Sequence, residues 1–334
     1  MINIDVKHTN YDIILERGCL NHLSDYIDTN RKVFLLTDDF IPDELINNVS
    51  KQFNNIFIYK VPHGEEAKSF KVYEAVLQSC LNFHMSRKDL LIALGGGVIG
   101  DLGGFVASTY MRGIEFISMP TTTLSQIDSS IGGKVAINLG MVKNIVGVFN
   151  HPSKVLIDFD TLNTLPKRHV INGLIEAIKA GLIHDPKIFE LFEDDYEKHL
   201  EEIIYLSLLM KKKVVEMDET EHGIRKTLNF GHSIGHGIEA YFNLKDYYHG
   251  ECVAMGMLYF IEDDALKQRV LNLYDKLNIK ATANFDNELV YKHLCNDKKA
   301  SGNHISIVKV REIGHAYIEE MKISDLKDIL ERGI

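Results

Sequence analysis

Cysteine is scarce, basic residues are outnumbered, and long apolar runs are missing from these 334 residues. Each shortage excludes something. Cysteines stand only at 19, 80, 252 and 295, too far apart for C-x-x-C metal sites and too few for a disulfide framework. They read as buried, reduced thiols. The 37 Lys and Arg against 47 Asp and Glu give a net charge of −10, which disfavours nucleic acid as a partner because phosphate neutralisation needs cations. An anionic small molecule would need a locally basic pocket. No uninterrupted apolar run reaches the roughly 18 residues of a membrane span, so no membrane partner is expected. The opening "MINIDVKHTN" also lacks the basic and apolar regions of a signal peptide. A cytoplasmic location is expected.

What is present is ordinary for a soluble globular chain: 45% hydrophobic and 25% charged residues, with no low-complexity tract or internal repeat. The length favours about two domains. Up to about residue 160, apolar runs alternate with helix-like segments. "KVFLLTDD", "NIFIYKVP", "DLLIALGGG", "FISMPTT" and "KVLIDFD" read as strands of a mostly parallel α/β sheet. Phe70, Tyr73, Leu77, Cys80, Leu81 and His84 follow the spacing of an amphipathic helix, and residues 2–18 read as an edge hairpin. Beyond Thr161 the period becomes helical over 166–183, 186–217, 225–242, 249–275 and 285–295. "HISIVKV" and "GHAYIEE" form a late strand pair. The expected domains are therefore 1–160, α/β and Rossmann-like, and 161–334, mainly α-helical, with the active site in the cleft between them.

Gly95, Gly97 and Gly100 have the G-x-G-x-x-G spacing, after an apolar run and before a helix. Such a turn lets backbone N–H groups and a helix N-terminus face a pyrophosphate; it also serves as a plain strand-to-helix turn. The motif sits in an inner βα unit rather than the first. Asp38, ending an earlier strand, is a candidate for a ribose hydroxyl or a turn aspartate.

Asn172, Glu176 and Lys179 lie at i, i+4 and i+7, a spacing that a solvated face also explains. Asn229, His232 and His236 make a like stripe at i, i+3 and i+7, and Arg225 extends it if the helix reaches back past Gly223. Gly231, Gly235 and Gly237 would cost such a helix about 2–3 kcal/mol relative to alanine, so a close approach must require them. His249 begins a further helix in "YYHGECVAMGM". With Glu176, these histidines are candidates for a zinc site of two nitrogens and one oxygen, although a histidine pair at i, i+4 more often only shares a helix face. The H-E-x-x-H motif of metalloproteases is absent, since Ser233 follows His232. Arg112, Lys134, Lys143, Lys179, Lys211, Arg225 and Lys298–Lys299 are cations that, if they converge, suit a phosphate and a carboxylate.

Taken with "GEEAK" at 64–68, "GGGVIGDLGGFVAS" at 95–108, "PTTTLSQIDSSIGGKVAIN" at 120–138, "KNIVGVFNHP" at 143–152, "LIEAIKAG" and "LNFGHSIGHGIE", the chain resembles the 3-dehydroquinate synthase family of sugar phosphate cyclases. The resemblance implies conversion of 3-deoxy-D-arabino-heptulosonate 7-phosphate, a sugar acid phosphate, to 3-dehydroquinate and phosphate. The steps would be transient NAD reduction, phosphate elimination, return of the hydride, ring opening and aldol closure. It further implies a homodimer and a divalent metal, zinc or cobalt, on Glu176, His232 and His249.

By the same resemblance NAD is held by Asp38, Glu65, Lys68 and Asp101, and by the turn at Gly96, Gly97, Val98 and Gly100. Thr121, Thr122 and Lys143 join them, as do Thr161, Leu162 and Thr164. Substrate contacts correspond to Arg112, Asp128, Lys134 and Asn144, then to Asn172, Lys179, Lys211, Arg225, Asn229 and His236, and finally to Lys299. Glu221 and His236 match proton-transfer groups, and Lys134 and Arg225 match groups stabilising charge as phosphate departs. Val135 and His151 stand where relatives often have Thr and Gln. The rival readings are an alcohol or glycerol dehydrogenase, another sugar phosphate cyclase acting on a heptulose or hexose phosphate, and a nucleotide-binding sensor.

Overall fold

A computed structural model describes residues 1–6, 9–140, 142–243, 245–297 and 303–334. Lys298 and Lys299 lie outside them. The chain divides into two compact units, Met1–Pro166 and Lys167–Ile334.

The first unit is built on β1 (Ile2–Val6), β2 (Thr9–Leu15), β3 (Lys32–Asp38), β4 (Asn55–Val61), β5 (Leu90–Gly95) and β6 (Glu115–Pro120). After them come β7 (Lys134–Leu139), β8 (Val142–Phe149) and β9 (Lys154–Ile157). Its helices are α1 (Asp43–Ser50), α2 (Phe70–Asn82) and α3 (Gly97–Thr109). Seven strands form one sheet in the order β1-β2-β9-β6-β5-β3-β4, antiparallel only between β1 and β2. The five expected strands and the edge hairpin are all there.

"LLIALG" of β5 is buried throughout because the sheet is covered on both faces, as an unbroken apolar run requires. Ile46 and Val49 of α1 pack on one face with Leu35 and Ile92. Val76 of α2 and Leu102 and Val106 of α3 pack on the other, with Leu36 and Leu91. Strand order explains why the glycine motif comes late. From β3 the chain moves outward to β4, then returns to β5 on the other side of β3. The helices after β3 and β5 leave to opposite faces. The C-terminal ends of β3 and β5 therefore flank a topological switch point, where open α/β sheets bind ligands.

The sequence pattern missed the hairpin of β7 and β8, a separate two-stranded sheet. β7 alternates burial over a short span between glycines, and β8 is largely exposed, so neither carries a buried-strand signature.

The second unit contains α4 (Lys167–Ile183), α5 (Pro186–Asp195), α6 (Leu200–Met217), α7 (His232–Phe242) and α8 (His249–Leu258). It continues with α9 (Asp264–Leu277), α10 (Asn287–Asp297), β10 (His304–Glu312), β11 (His315–Lys322) and α11 (Asp325–Arg332). β10 and β11 are the expected late pair. Three expected helices are shorter than their periodicity suggests. Residues 186–217 break after Asp195. Residues 249–275 break after Leu258, because Glu262 N and Val310 N exchange bonds with Val310 O and Phe260 O, docking the link beside β10; Asp263 then caps α9 by accepting from Leu266 N at 2.7 Å. Residues 225–242 are not one helix. Ile224–Asn229 is a 3-10 turn, and Gly231, at φ 78°, ends it before α7 begins. Arg225 and Asn229 therefore do not extend the histidine stripe.

Among the described residues no helix is long and apolar enough to cross a membrane, and no cysteine is in a disulfide. Cys19, Cys80 and Cys252 are buried, as expected, whereas Cys295 is half-buried.

Candidate metal centre and nucleotide-binding edge

Glu176 and Lys179 stand one turn apart on α4, both buried, with the Lys179 ammonium against Glu176 Oε2. The solvated-face explanation of this spacing fails, since both side chains are only 3% exposed. Glu176 Oε1 has no hydrogen-bond donor and lies 3.8 Å from Nε2 of His232 and 3.8 Å from Nε2 of His249. The three residues form one cluster of donor atoms, supplied by α4, α7 and α8.

The glycines bring these helices together. A Cβ on Gly256 of α8 would strike the Gly231 carbonyl, and one on Gly235 would lie 3.0 Å from Cys252 O. Backbone contact between α7 and α8 is thus the close approach that pays for a glycine-rich helix. On the other side Asn172 Oδ1 accepts from Gly250 N at 2.8 Å, tying α4 to the first turn of α8 beside His249. Arg168 adds a two-pronged contact to Glu251, both at 2.8 Å, and lies over the Tyr248 ring.

The ring nitrogens are oriented for ligation. His232 Nδ1 lies 3.1 Å from Phe230 O, an acceptor, so the proton belongs on Nδ1 and the Nε2 lone pair faces Glu176. His249 Nδ1 lies 2.7 Å from Glu239 Oε2 and follows the same logic. Burial, with Lys179 nearby, holds His232 well below the usual histidine range, which keeps it neutral and able to ligate. Burial pulls His249 down, but the hydrogen bond to Glu239 together with the negative charges of Glu239 and Glu176 leaves it raised. A buried carboxylate oxygen without a donor, faced by two imidazole lone pairs, fits a divalent cation. Separations of 3.8 Å fall within the roughly 4 Å that two donors each about 2 Å from a common ion can span.

His236 is exposed on α7, its ring 5.2 Å from His232 and 5.8 Å from His249. It borders the cluster without joining Glu176. A second grouping, His236, Glu239 and His249, shares one histidine with the first. Lys211 on α6 and Arg225 on the 3-10 turn are buried, and that turn packs on both α4 and α6. Arg225 Nη1 donates to Glu219 O. The loop before it is organised by Asp218, which accepts from the backbone of His222, Gly223 and Arg225. Asn229 donates to Glu221 Oε1 at 2.6 Å, so these two candidates meet.

In the first unit, Asp38, Gly95–Gly97 and Thr121 gather at the C-terminal edge of the sheet; Thr121 N donates to Gly95 O at 3.0 Å. A Cβ on Gly97 would lie 2.9 Å from Ser129 Oγ, and one on Gly96 would lie 3.1 Å from Thr122 Cγ2. Thr121 Oγ1 is buried without a partner. A tight turn opening α3, beside an unsatisfied hydroxyl, fits a dinucleotide phosphate. Gly100 faces open space, and the helix-on-strand contact of the third glycine falls instead to Gly103, where a Cβ would lie 2.9 Å from that of Ala93.

Asp38 realises its turn reading with one oxygen, Oδ1, which accepts from Phe40 N at 2.9 Å. Lys68 is buried and donates to Asp101 Oδ2 at 2.6 Å and to Asn144 Oδ1. Burial pushes Asp101 up to about 6 against the pull of Lys68. Thr161 donates to Asp158 O and accepts from Gln126, so its hydroxyl is committed within the chain; Thr164 donates to Thr161 O, and Leu162 is buried nearby. Asp128 lies in the π-helical turn Ser125–Ser129 that follows Thr122 after β6, whereas Lys134 and Lys143 are exposed on the hairpin. Arg112 is not brought to this edge. It lies in the connection from α3 into β6, at the opposite end of the sheet, where Met111 O accepts from Arg87.

Two polar groups escaped the sequence reading. Asn138 donates to Glu65 Oε1 at 2.8 Å and accepts from Asn144 N at 2.9 Å, joining residues far apart in sequence. Glu239 is the other, although its spacing of i+7 from His232 puts it on the same stripe of α7.

The chain matches the family description "3-dehydroquinate synthase N-terminal" over residues 58–172 and "3-dehydroquinate synthase C-terminal" over 173–300. It is 38% identical, over 98% of its length and 99% of the relative's, to a 3-dehydroquinate synthase of Streptococcus pneumoniae. Among solved structures, a 2-deoxy-scyllo-inosose synthase complexed with carbaglucose-6-phosphate, NAD+ and Co2+ superposes with a TM-score of 0.89 at 22% identity, covering 100% of both chains. The 2-epi-5-epi-valiolone synthase of Streptomyces hygroscopicus, with NAD+ and Zn2+, gives 0.88 at 24% identity over 98% of each chain. These two establish the fold. The acid-and-imidazole cluster and the glycine turn thus sit in a chain matched on both of its halves, and that chain belongs to the 3-dehydroquinate synthase family.

Proposed function

We propose that this protein converts 3-deoxy-D-arabino-heptulosonate 7-phosphate to 3-dehydroquinate and phosphate, as a carbon–oxygen lyase using NAD and one divalent metal, zinc or cobalt. The observation that carries this reading is the convergence of Glu176 Oε1 with His232 and His249 Nε2 in a unit that also buries Lys179, Lys211 and Arg225. A metal and NAD together supply a polarised C5 oxygen and a reversible hydride acceptor. The residues of the chain do the rest. Glu176, His232 and His249 hold the ion, and the α3 turn with Asp38, Lys68 and Asp101 holds the dinucleotide.

Lys179, Lys211, Arg225 and Lys134 bind the carboxylate and phosphate and stabilise charge as the phosphate separates. His236, exposed beside the metal ligands, and Glu221, held by Asn229, are the proton-transfer groups. Thr122, Thr164, Lys143, Asn144 and Asp128 make further ligand contacts, whereas Arg112 lies at the opposite end of the sheet from the glycine turn.

The reaction takes place in the cytoplasm, a setting supported by buried thiols at Cys19, Cys80 and Cys252. The working form is a homodimer. Support comes from the β7–β8 hairpin, which exposes Leu139, Val142, Ile145, Val148 and Phe149, more apolar surface than one hairpin ordinarily leaves to water.

The test is product identity. Purified protein with the heptulosonate phosphate, catalytic NAD and zinc is expected to give equimolar dehydroquinate and phosphate, and to stop when either cofactor is withheld. Oxidation of the substrate with retained phosphate would instead identify a dehydrogenase.

A further inference from the structure

The polar stripe of α7 does not end with its second histidine. His232, His236 and Glu239 fall at i, i+4 and i+7, so Glu239 shares their face two turns along. It is 9% exposed, and burying a carboxylate requires a purpose and a partner. Its Oε2 lies 2.7 Å from Nδ1 of His249, the first residue of α8. The other nitrogen of that ring, Nε2, faces Glu176 Oε1 at 3.8 Å. One imidazole therefore has its two nitrogens pointed at two carboxylates with different surroundings. Oε1 of Glu176 has no donor and shares its cluster with His232, whereas Glu239 is within direct hydrogen-bond reach.

We propose that Glu239 is a positioning residue for the metal centre: by accepting from Nδ1–H of His249 it fixes the tautomer and the ring plane, so that the Nε2 lone pair is presented beside His232 and Glu176. The inference rests on the Glu176–His232–His249 reading of the metal site. It parallels His232, whose Nδ1 is engaged by Phe230 O, so both histidines are set from behind by an acceptor. The two acceptors differ. A carboxylate raises the basicity of the ring it holds and a carbonyl does so less, which makes His249 the more strongly donating of the pair. The competing role, Glu239 as itself a ligand with His236 and His249, would set Glu239 against the hydrogen bond that its Oε2 makes with His249 Nδ1.

The experiment uses the full chain, stripped of metal and titrated with Co2+ against a chelator of known affinity. Wild type, Glu239→Gln and Glu239→Ala are followed by the Co2+ visible spectrum, with thermal unfolding of each metal-free protein as a folding control. The wild type is expected to bind one Co2+ per chain. Glu239→Ala should bind about 10–100-fold more weakly, with the same stoichiometry and an unchanged ligand-field pattern, because the ligands remain. Glu239→Gln, whose carbonyl oxygen can still accept from Nδ1–H, should recover most of that loss. If Glu239→Ala does not fold, the Gln variant decides alone: affinity within about tenfold of wild type supports the proposal. Unaltered Co2+ affinity in Glu239→Ala overturns it. So does a changed ligand-field pattern in either variant, which would make Glu239 a ligand. A wild type that binds no Co2+ overturns the metal reading itself, a result distinct from the other two.

Discussion

Lys179 sits against Glu176 Oε2, one helical turn away on α4, and this pairing leaves Oε1 as the oxygen that faces Nε2 of His232 and of His249. The carboxylate is divided between two tasks, one oxygen for a permanent cation and the other for a ligand position. Both residues are buried, so neither oxygen can turn to water for a partner.

Metal retention should follow that division. His232→Ala is expected to lose the metal, whereas His236→Ala should keep it and lose turnover by about 10²–10⁴-fold, the usual worth of a proton-transfer group. Glu176→Ala should also lose the metal, but it strands Lys179 as a buried charge and is expected to destabilise the fold by about 3–5 kcal/mol as well. Elemental analysis after gel filtration, with kcat for each variant, checks this. Metal-free His236→Ala beside metal-replete His232→Ala would reverse the assignment.

Gly256→Ala separates packing from helix propensity. An alanine inside an exposed helix would stabilise it by about 1 kcal/mol over glycine. Here the added Cβ would meet the Gly231 carbonyl at the start of α7, so overpacking wins and a loss of about 1–3 kcal/mol is expected. Since α7 carries His232 and α8 carries His249, metal affinity should fall too. Thermal unfolding with a metal titration measures both. An unchanged or raised Tm would contradict the close approach.

The pH dependence of Asp101 has a defined sign. Burial raises its pKa from 3.8 to about 6, even with Lys68 at 2.6 Å. The folded chain therefore binds more protons than the unfolded chain between those values, and stability falls as pH rises. The contribution is fully present below 3.8 and lost as pH passes through about 6. Asp101→Asn, which does not titrate, should lack this slope. Comparing Tm of the two proteins from pH 4 to 7 checks it; parallel curves would show that Asp101 ionises normally.

Much of this was legible in the sequence, for identifiable reasons. Unbroken apolar runs such as "LLIALG" announce a strand covered on both faces, and the fold contains it. The spacing of Asn172, Glu176 and Lys179 marked a polar stripe but could not say whether water or protein faced it, because periodicity carries no information about depth. Other features were not legible. The left-handed Gly231 ends the helical period that runs through Arg225 and Asn229, a backbone choice that composition does not encode. Glu239 lies in a quoted motif, yet its role depends on a contact with His249 across a helix boundary. Arg112 stood beside the glycine motif in sequence and lies at the far end of the sheet, because α3 carries the chain from one end to the other.

The most direct measurement is the nicotinamide absorbance during one turnover, with enzyme and NAD in excess over the heptulosonate phosphate and phosphate release followed in parallel. A rise in the NADH band that returns to its starting value, with one phosphate released per substrate, is the expected result. NADH that accumulates in step with substrate loss, with no phosphate released, would contradict the account.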